Sequence, residues 1–231
     1  MLPRRAILRF SLTLAALYSL MVVPMMVSWP GARAAYAGLF RAAGDIVFTR
    51  FWLWSEGHVR FFDLHSADLA DEIDRATPGA LPEGFETMAA TDELDTLMVI
   101  MNRQVPGTFG QLRISSRLAG YWPAAWLVAL TLAKPMPWRR RGKALVGGLI
   151  LVHAFIALRV SVTIAHAGYA ADKAYALFDA SALWRDILGR ADTLLLTNPT
   201  VSFVVATFIW LVVGVSRAEW AALRETLLPE E

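Results

Sequence analysis

The chain has 231 residues, no cysteine, 56% hydrophobic residues and a formal charge of +2. The lack of cysteine excludes disulfides, thiolate catalysis and Cys-based metal sites, and the apolar share points to an integral membrane protein rather than a soluble domain. The total charge is uninformative, because basic and acidic residues are segregated along the chain.

Residues 10–32 form the first uncharged run, close to the ~17–25 residues that a spanning helix needs. Arg4, Arg5 and Arg9 precede it, and Ala32-Arg33-Ala34 follows it in the manner of a small-residue cleavage site. The run exceeds the ~7–15 apolar residues of a signal peptide, so an uncleaved anchor is expected. Next, Tyr36, Phe40, Ala43, Val47, Phe51 and Trp54 recur at spacings of four and three. This predicts one apolar stripe of a helix lying at the membrane surface, with Arg41, Asp45 and Arg50 off the stripe. Trp52 and Trp54 suit the headgroup zone.

The periodicity then shifts towards two. Residues 58–64, 97–101 and 111–115 read as three short strands, the last two separated by a turn at Pro106-Gly107. The connection 66–95 is acidic, carrying Asp68, Asp71, Glu72, Asp74, Glu83, Glu86, Asp92, Glu93 and Asp95 against Arg75, and it reads as a solvated loop, with an exposed surface for a basic partner or divalent ions as the alternative.

Three further apolar runs follow, at 118–133, 144–171 and 193–216. The link between the first two of these carries Lys134, Arg139, Arg140, Arg141 and Lys143, which the positive-inside rule places in the cytoplasm together with both termini. The expected fold is a mainly α membrane protein with four transmembrane helices and a small periplasmic α+β insert between helices 1 and 2. Residues 1–32 make the cytoplasmic N-terminus and first helix, 33–117 the periplasmic region, 118–216 the bundle of helices 2 to 4, and 217–231 a cytoplasmic tail. The location is a bacterial inner membrane.

Arg159 is the formal charge within residues 144–171. An arginine at membrane depth costs at least ~2.5–3.5 kcal/mol, and it persists where something solvates or uses it. Counting ~1.5 Å per residue from Ala144 places it roughly 22 Å across a ~30 Å core, within reach of the outer interface. His166 follows seven residues later on the same helical face, whereas His153 points elsewhere and is expected to bond a neighbouring helix or a backbone carbonyl. Ser115, Ser116 and Arg117 precede the second run on the same outer side. A hydroxyl, an imidazole base and a guanidinium suffice in principle for acyl transfer, but serines at a helix start are ordinarily caps. His58 and His65 lack a third ligand at regular spacing, so no metal is expected, and no phosphate-binding loop or other cofactor motif occurs. The basic link fits lipid attraction better than nucleic acid.

The stretch 115–166, SSRLAGYWPAAWLVALTLAKPMPWRRRGKALVGGLILVHAFIALRVSVTIAH, resembles the core of the exosortase and archaeosortase superfamily, polytopic transpeptidases that process C-terminal sorting signals. Arg139, Arg140 and Arg141 match the family's arginine-bearing turn, and Arg159 matches its intramembrane arginine. The family's nucleophilic cysteine is replaced by Ser115, Ser116 or Arg117, and His166 falls early for the family histidine. The resemblance therefore implies a relative without the catalytic cysteine, of the exosortase-associated kind. It would be a non-catalytic accessory protein of a protein-sorting or envelope-export system, binding a membrane protein partner or a chain terminus through Arg117, Arg159 and His166. Two alternatives stand beside it. One is a serine-type membrane transpeptidase or protease using Ser115 or Ser116, His166 and Arg159. The other is a scaffold subunit of a larger membrane complex, with its nine tryptophans as docking surface.

Overall fold

Where a backbone crosses hydrocarbon, each N–H and C=O has to be satisfied within its own segment, and the apolar runs accordingly form helices. The computed structural model describes residues 4–26, 30–49, 57–76, 94–102, 109–169, 181–197 and 199–221. The elements run α1 (Arg4–Met26), α2 (Pro30–Thr49), β1 (Gly57–Asp63), α3 (Leu69–Ala76), β2 (Thr96–Asn102), β3 (Phe109–Ile114), α4 (Trp122–Ala133), α5 (Trp138–Gly168), α6 (Ala182–Asp192) and α7 (Pro199–Gly214). A π-helical turn at Arg117–Tyr121 leads into α4, and another at Thr193–Thr197 ends α6.

Two helices are long and apolar enough to cross a membrane, Arg5–Met26 and Trp138–Gly168, or three spans result if α6 and α7 count as one interrupted segment. The apolar runs at 10–32 and 193–216 are each divided. Pro30 opens α2 and Pro199 opens α7, at the first helical position where proline's missing N–H costs nothing and its fixed φ suits the helix.

The chain divides into two compact units: Met1–Val27, Trp122–Phe155 and Thr200–Glu231 form unit 1, and Ser28–Tyr121 with Ile156–Pro199 form unit 2. In unit 1, Tyr18 of α1 meets Trp126 of α4 edge-on at 5.1 Å, and Phe203 of α7 packs 6.0 Å from the same indole. The Trp126 Nε1–H donates to Thr207 Oγ1 at 2.9 Å, which satisfies its one polar atom. Towards one end, Phe10 of α1 stacks on Trp210 of α7, and Lys134 lies 5.9 Å from that ring. The start of α1 therefore shares an end of unit 1 with the finish of α4 and of α7.

That end is closed by a charge cluster. Ser216 and Glu219 form a reciprocal cap, Ser216 N–H donating to Glu219 Oε2 at 2.6 Å and Glu219 N–H to Ser216 Oγ at 3.2 Å. The Glu219 carboxylate also pairs with Lys134 Nζ at 2.9 Å and Arg140 Nη2 at 2.7 Å, and both cations donate to Gly214 O, the last carbonyl of α7. Cations belong at a helix C-terminus, where the unsatisfied carbonyls gather partial negative charge. Arg141 donates to Lys134 O and lies against the Trp138 ring, so Arg139 and Lys143 are the fully exposed charges of the link.

In unit 2 the three strands form one antiparallel sheet in the order β1-β2-β3, with Phe61 opposite Met98 and Met98 opposite Leu112. They lie where alternation placed them. The continuous run Leu97 to Met101 is apolar throughout because β2 is covered on both faces. Leu97, Val99 and Met101 pack with Phe62, Leu64, Leu69 and Ile73. On the other side Phe61 sits between Phe40 and Phe48 of α2, at 6.3 and 5.8 Å. The acidic connection is not all loop: α3 lies within it, its Leu69 and Ile73 only 4% and 0% exposed while Asp71 and Asp74 face outward. The rest of that acidic run, 77–93, falls outside the described residues.

The apolar stripe of α2 also differs from expectation. Ala37, Gly44 and Phe48 are buried, whereas Ala43 and Val47 are exposed, a rotation of about one residue. The sheet draws Arg41 and Asp45 inward as partners for its edge strand, which outweighs a simple sorting of apolar from polar side chains. Phe51 and Trp54 lie outside the described residues.

The Glu219 cluster predicts a pH response. Arg140, the Ser216 N–H and Lys134 hold the carboxyl well below its ordinary value of 4.5. A depressed pKa contributes stability that is fully present above the unfolded value and is lost as the pH falls towards the folded one. Thermal unfolding in detergent micelles should therefore show an acid-sensitive component beginning below about pH 4.5. Glu219→Gln should be less stable at pH 7 and should lack that component; an unchanged acid profile would remove the cluster from the account.

Candidate functional site

The segment entering α4 brings together the residues singled out at 115–117. Ser115 is a cap, its Oγ accepting from Leu118 N–H at 3.4 Å while its carbonyl takes Ala119 N–H at 2.9 Å. Ser116 is fully buried, and its Oγ donates to Asp95 Oδ2 at 2.7 Å while its N–H donates to Asp95 Oδ1 at 2.9 Å. Arg117 is half-buried at the start of the π-helical turn.

Asp95 is the centre of this arrangement. Its carboxylate also accepts from Thr96 Oγ1 at 2.9 Å, its N–H donates to Ile114 O, and its carbonyl accepts from Leu64 N–H and from Arg41 Nη1 at 3.2 Å. Arg41 extends the network by a 2.7 Å ion pair to Asp63, and Asp45 accepts the outward N–H of Phe61 at 3.0 Å. An exposed strand edge is thereby bonded to a helix instead of left open. Beside Asp95 stand two tyrosines, Tyr36 and Tyr121, whose rings meet edge-on at 5.1 Å. Tyr36 places its hydroxyl over Gly120, where any Cβ would lie 2.5 Å from that oxygen, so glycine is required for the approach. Burial, then the neighbouring Tyr121 and the Asp95 carboxylate, push the Tyr36 phenol above its ordinary range and keep it protonated.

This geometry is a poor nucleophile site. A serine hydroxyl needs a base that can take its proton and a path for the carbonyl it attacks. Ser116 has no exposed surface, its proton is committed to a carboxylate, and among the described residues no hydrogen bond joins either serine to His166. Asp95 was legible only as one more acid in a charge run. The signal that it differed is its position directly before Thr96, where a carboxylate can cap the sheet and the next helix at once.

Arg159 and His166 lie on the second half of α5, also in unit 2. Arg159 shares a helix face with Ile156, Val160 and Thr163, and it is only 5% exposed. The protein itself encloses the side chain, while Leu158 on another face of the helix is 55% exposed. His166 is half-buried beside α6, where a Cβ on Gly189 would stand in ordinary van der Waals contact, 3.5 Å from His166 Cε1. One turn beyond Gly189, Asp192 Oδ1 is sealed from solvent without a hydrogen-bond partner among the described residues. Asp172 and Asp179, the acids that next follow His166 along the chain, lie outside those residues. His153 bonds a backbone carbonyl as expected, Nδ1 lying 2.7 Å from Leu149 O in its own helix.

No group of three or more His, Asp or Glu that could hold a metal occurs among the described residues, and His65 is exposed. In comparisons with protein-family models, curated proteins and solved structures, the chain matches none.

Two stability predictions follow from these contacts. Ser116→Ala should cost about 1.5–3 kcal/mol, the worth of a hydrogen bond to a charged group, and Asp95→Ala should cost more, because it strands donors from two elements. Thermal unfolding checks the order, and an Asp95→Ala protein no weaker than Ser116→Ala would deny Asp95 its central place. Arg159→Leu should lower stability, because the fold encloses a guanidinium that only its surroundings can solvate, and Arg159→Lys should not restore it, because lysine lacks the planar fork. Wild-type abundance and melting for both variants would mean that the enclosed guanidinium contributes nothing.

Proposed function

We propose that this chain is a non-catalytic inner-membrane accessory protein of an exosortase-type protein-sorting or envelope-export system, binding a partner or a chain terminus at the outer leaflet. The observation that supports its non-catalytic character is the sealed Ser116 hydroxyl, tied to Asp95 at the place where the family it resembles carries a nucleophilic cysteine. The four-span topology supplies the setting. The meeting of Phe10, Lys134 and Trp210 at one end of unit 1 is what four antiparallel passes require, and the basic link then puts both termini in the cytoplasm. Residues 33–117 become periplasmic.

Within the outer cluster the roles divide by access. Arg117 and His166 are partly exposed and make the contact, while Arg159, enclosed, orders its own face of α5. A guanidinium and an imidazole each suit a carboxylate, which is what a chain terminus offers.

The test pairs this chain with a candidate exosortase-type transpeptidase and its substrate in one membrane. Omitting the chain should lower processing or substrate recovery, Ser115→Ala and Ser116→Ala variants that accumulate should retain processing, and a serine-directed phosphonate should label neither serine. Abolition of processing by either abundant serine variant, or phosphonate labelling, would replace this reading with the serine transpeptidase.

A further inference from the structure

His153 is the central residue of the 31-residue α5, and it is exposed. Its Nδ1 lies 2.7 Å from Leu149 O, and since a carbonyl only accepts, Nδ1 carries the proton. An uncharged imidazole, the less costly form away from water, so bonded presents Nε2 outward as an acceptor, with no other bond among the described residues. Val146, Ile150, His153 and Ala154 lie together on one helix face, with Val146 62% and Ile150 64% exposed. At the centre of a span no water is present to answer such an acceptor, and an unmet polar group in hydrocarbon is costly.

We propose that this face of α5 docks an apolar membrane helix of a different protein, one that carries a hydrogen-bond donor opposite His153 Nε2. A second copy packed symmetrically through this face does not meet the requirement: its His153 has the same proton placement, so the contact would set two acceptors against each other. Donor side chains such as Ser, Thr, Asn or Trp on a foreign helix do meet it, and Ala154 leaves room for close approach. The inference rests on the accessory-protein reading, to which it adds a contact within the membrane.

The experiment uses the full chain in the membranes of the producing cell, with a photoreactive phenylalanine derivative placed at Ile150, at Leu20 on the lipid-facing side of α1, and at Arg117. Ile150 should give an adduct to another protein, mapping to an apolar segment of ~17–25 residues that bears a donor side chain. His153→Leu should lower its yield about three- to eighteen-fold, the range expected from one interhelix hydrogen bond, and His153→Gln should restore it. Because His153 is exposed, abundance should not change in either variant. Lipid adducts alone at Ile150, as expected at Leu20, would overturn the proposal, as would adducts to a second copy or a yield indifferent to His153→Leu. An Arg117 adduct without an Ile150 adduct rejects the intramembrane contact alone; the reverse rejects the outer-leaflet contact alone.

Discussion

A single carboxylate, that of Asp95, sits where β2, the end of β3 and the entry to α4 meet, and the organisation of unit 2 depends on it. It accepts the hydroxyl and N–H of Ser116 and the hydroxyl of Thr96, while its backbone is bonded to Ile114, Leu64 and Arg41. A carboxylate holding several donors gains more than a neutral acceptor would, and each donor it holds is spared an unpaired burial. The sheet and the π-helical turn that follows it are thus joined by side-chain chemistry across the two-residue step Ser115-Ser116. The same tie decides the chemical character of the place, because a hydroxyl committed to a carboxylate in a closed environment is structural.

Unit 1 solves a different problem. Its helices have little polar surface, so their mutual order comes from ring geometry and from the few polar atoms that find partners. Tyr18, Trp126 and Phe203 set the middle of the packing, and Trp126 and Thr207 satisfy each other. The exposed apolar side chains of α1, such as Leu12 and Leu20, are ordinary for a helix that faces lipid.

Elements with a single dominant period were legible in the sequence. The strands were, because alternation and the apolar run at β2 survive folding unchanged. What escaped was whatever depended on a partner far along the chain. α3 was hidden because two apolar residues, Leu69 and Ile73, suffice for a short helix that has a sheet to lie on. The stripe of α2 was displaced because Arg41 and Asp45 face the sheet, where Asp63 and Phe61 N–H await them. Arg159 was identified from its rarity alone, but its enclosure required knowledge of which face of α5 the protein covers. Ser115 and Ser116 were equivalent in sequence; a cap and a buried tie differ only in what stands three residues on or twenty-one residues back.

The basic link has two states separated in time. Until α7 is in place Glu219 is not beside the link, and its five cations are not yet answered by that carboxylate. Once α7 is in place, Glu219 and Gly214 O take up Lys134 and Arg140, and Arg141 turns to Lys134 O. Much of the link's charge is thus answered within the finished fold. Because Glu219 stands 79 residues beyond Arg140, the cluster closes only once α5 and α7 have both formed.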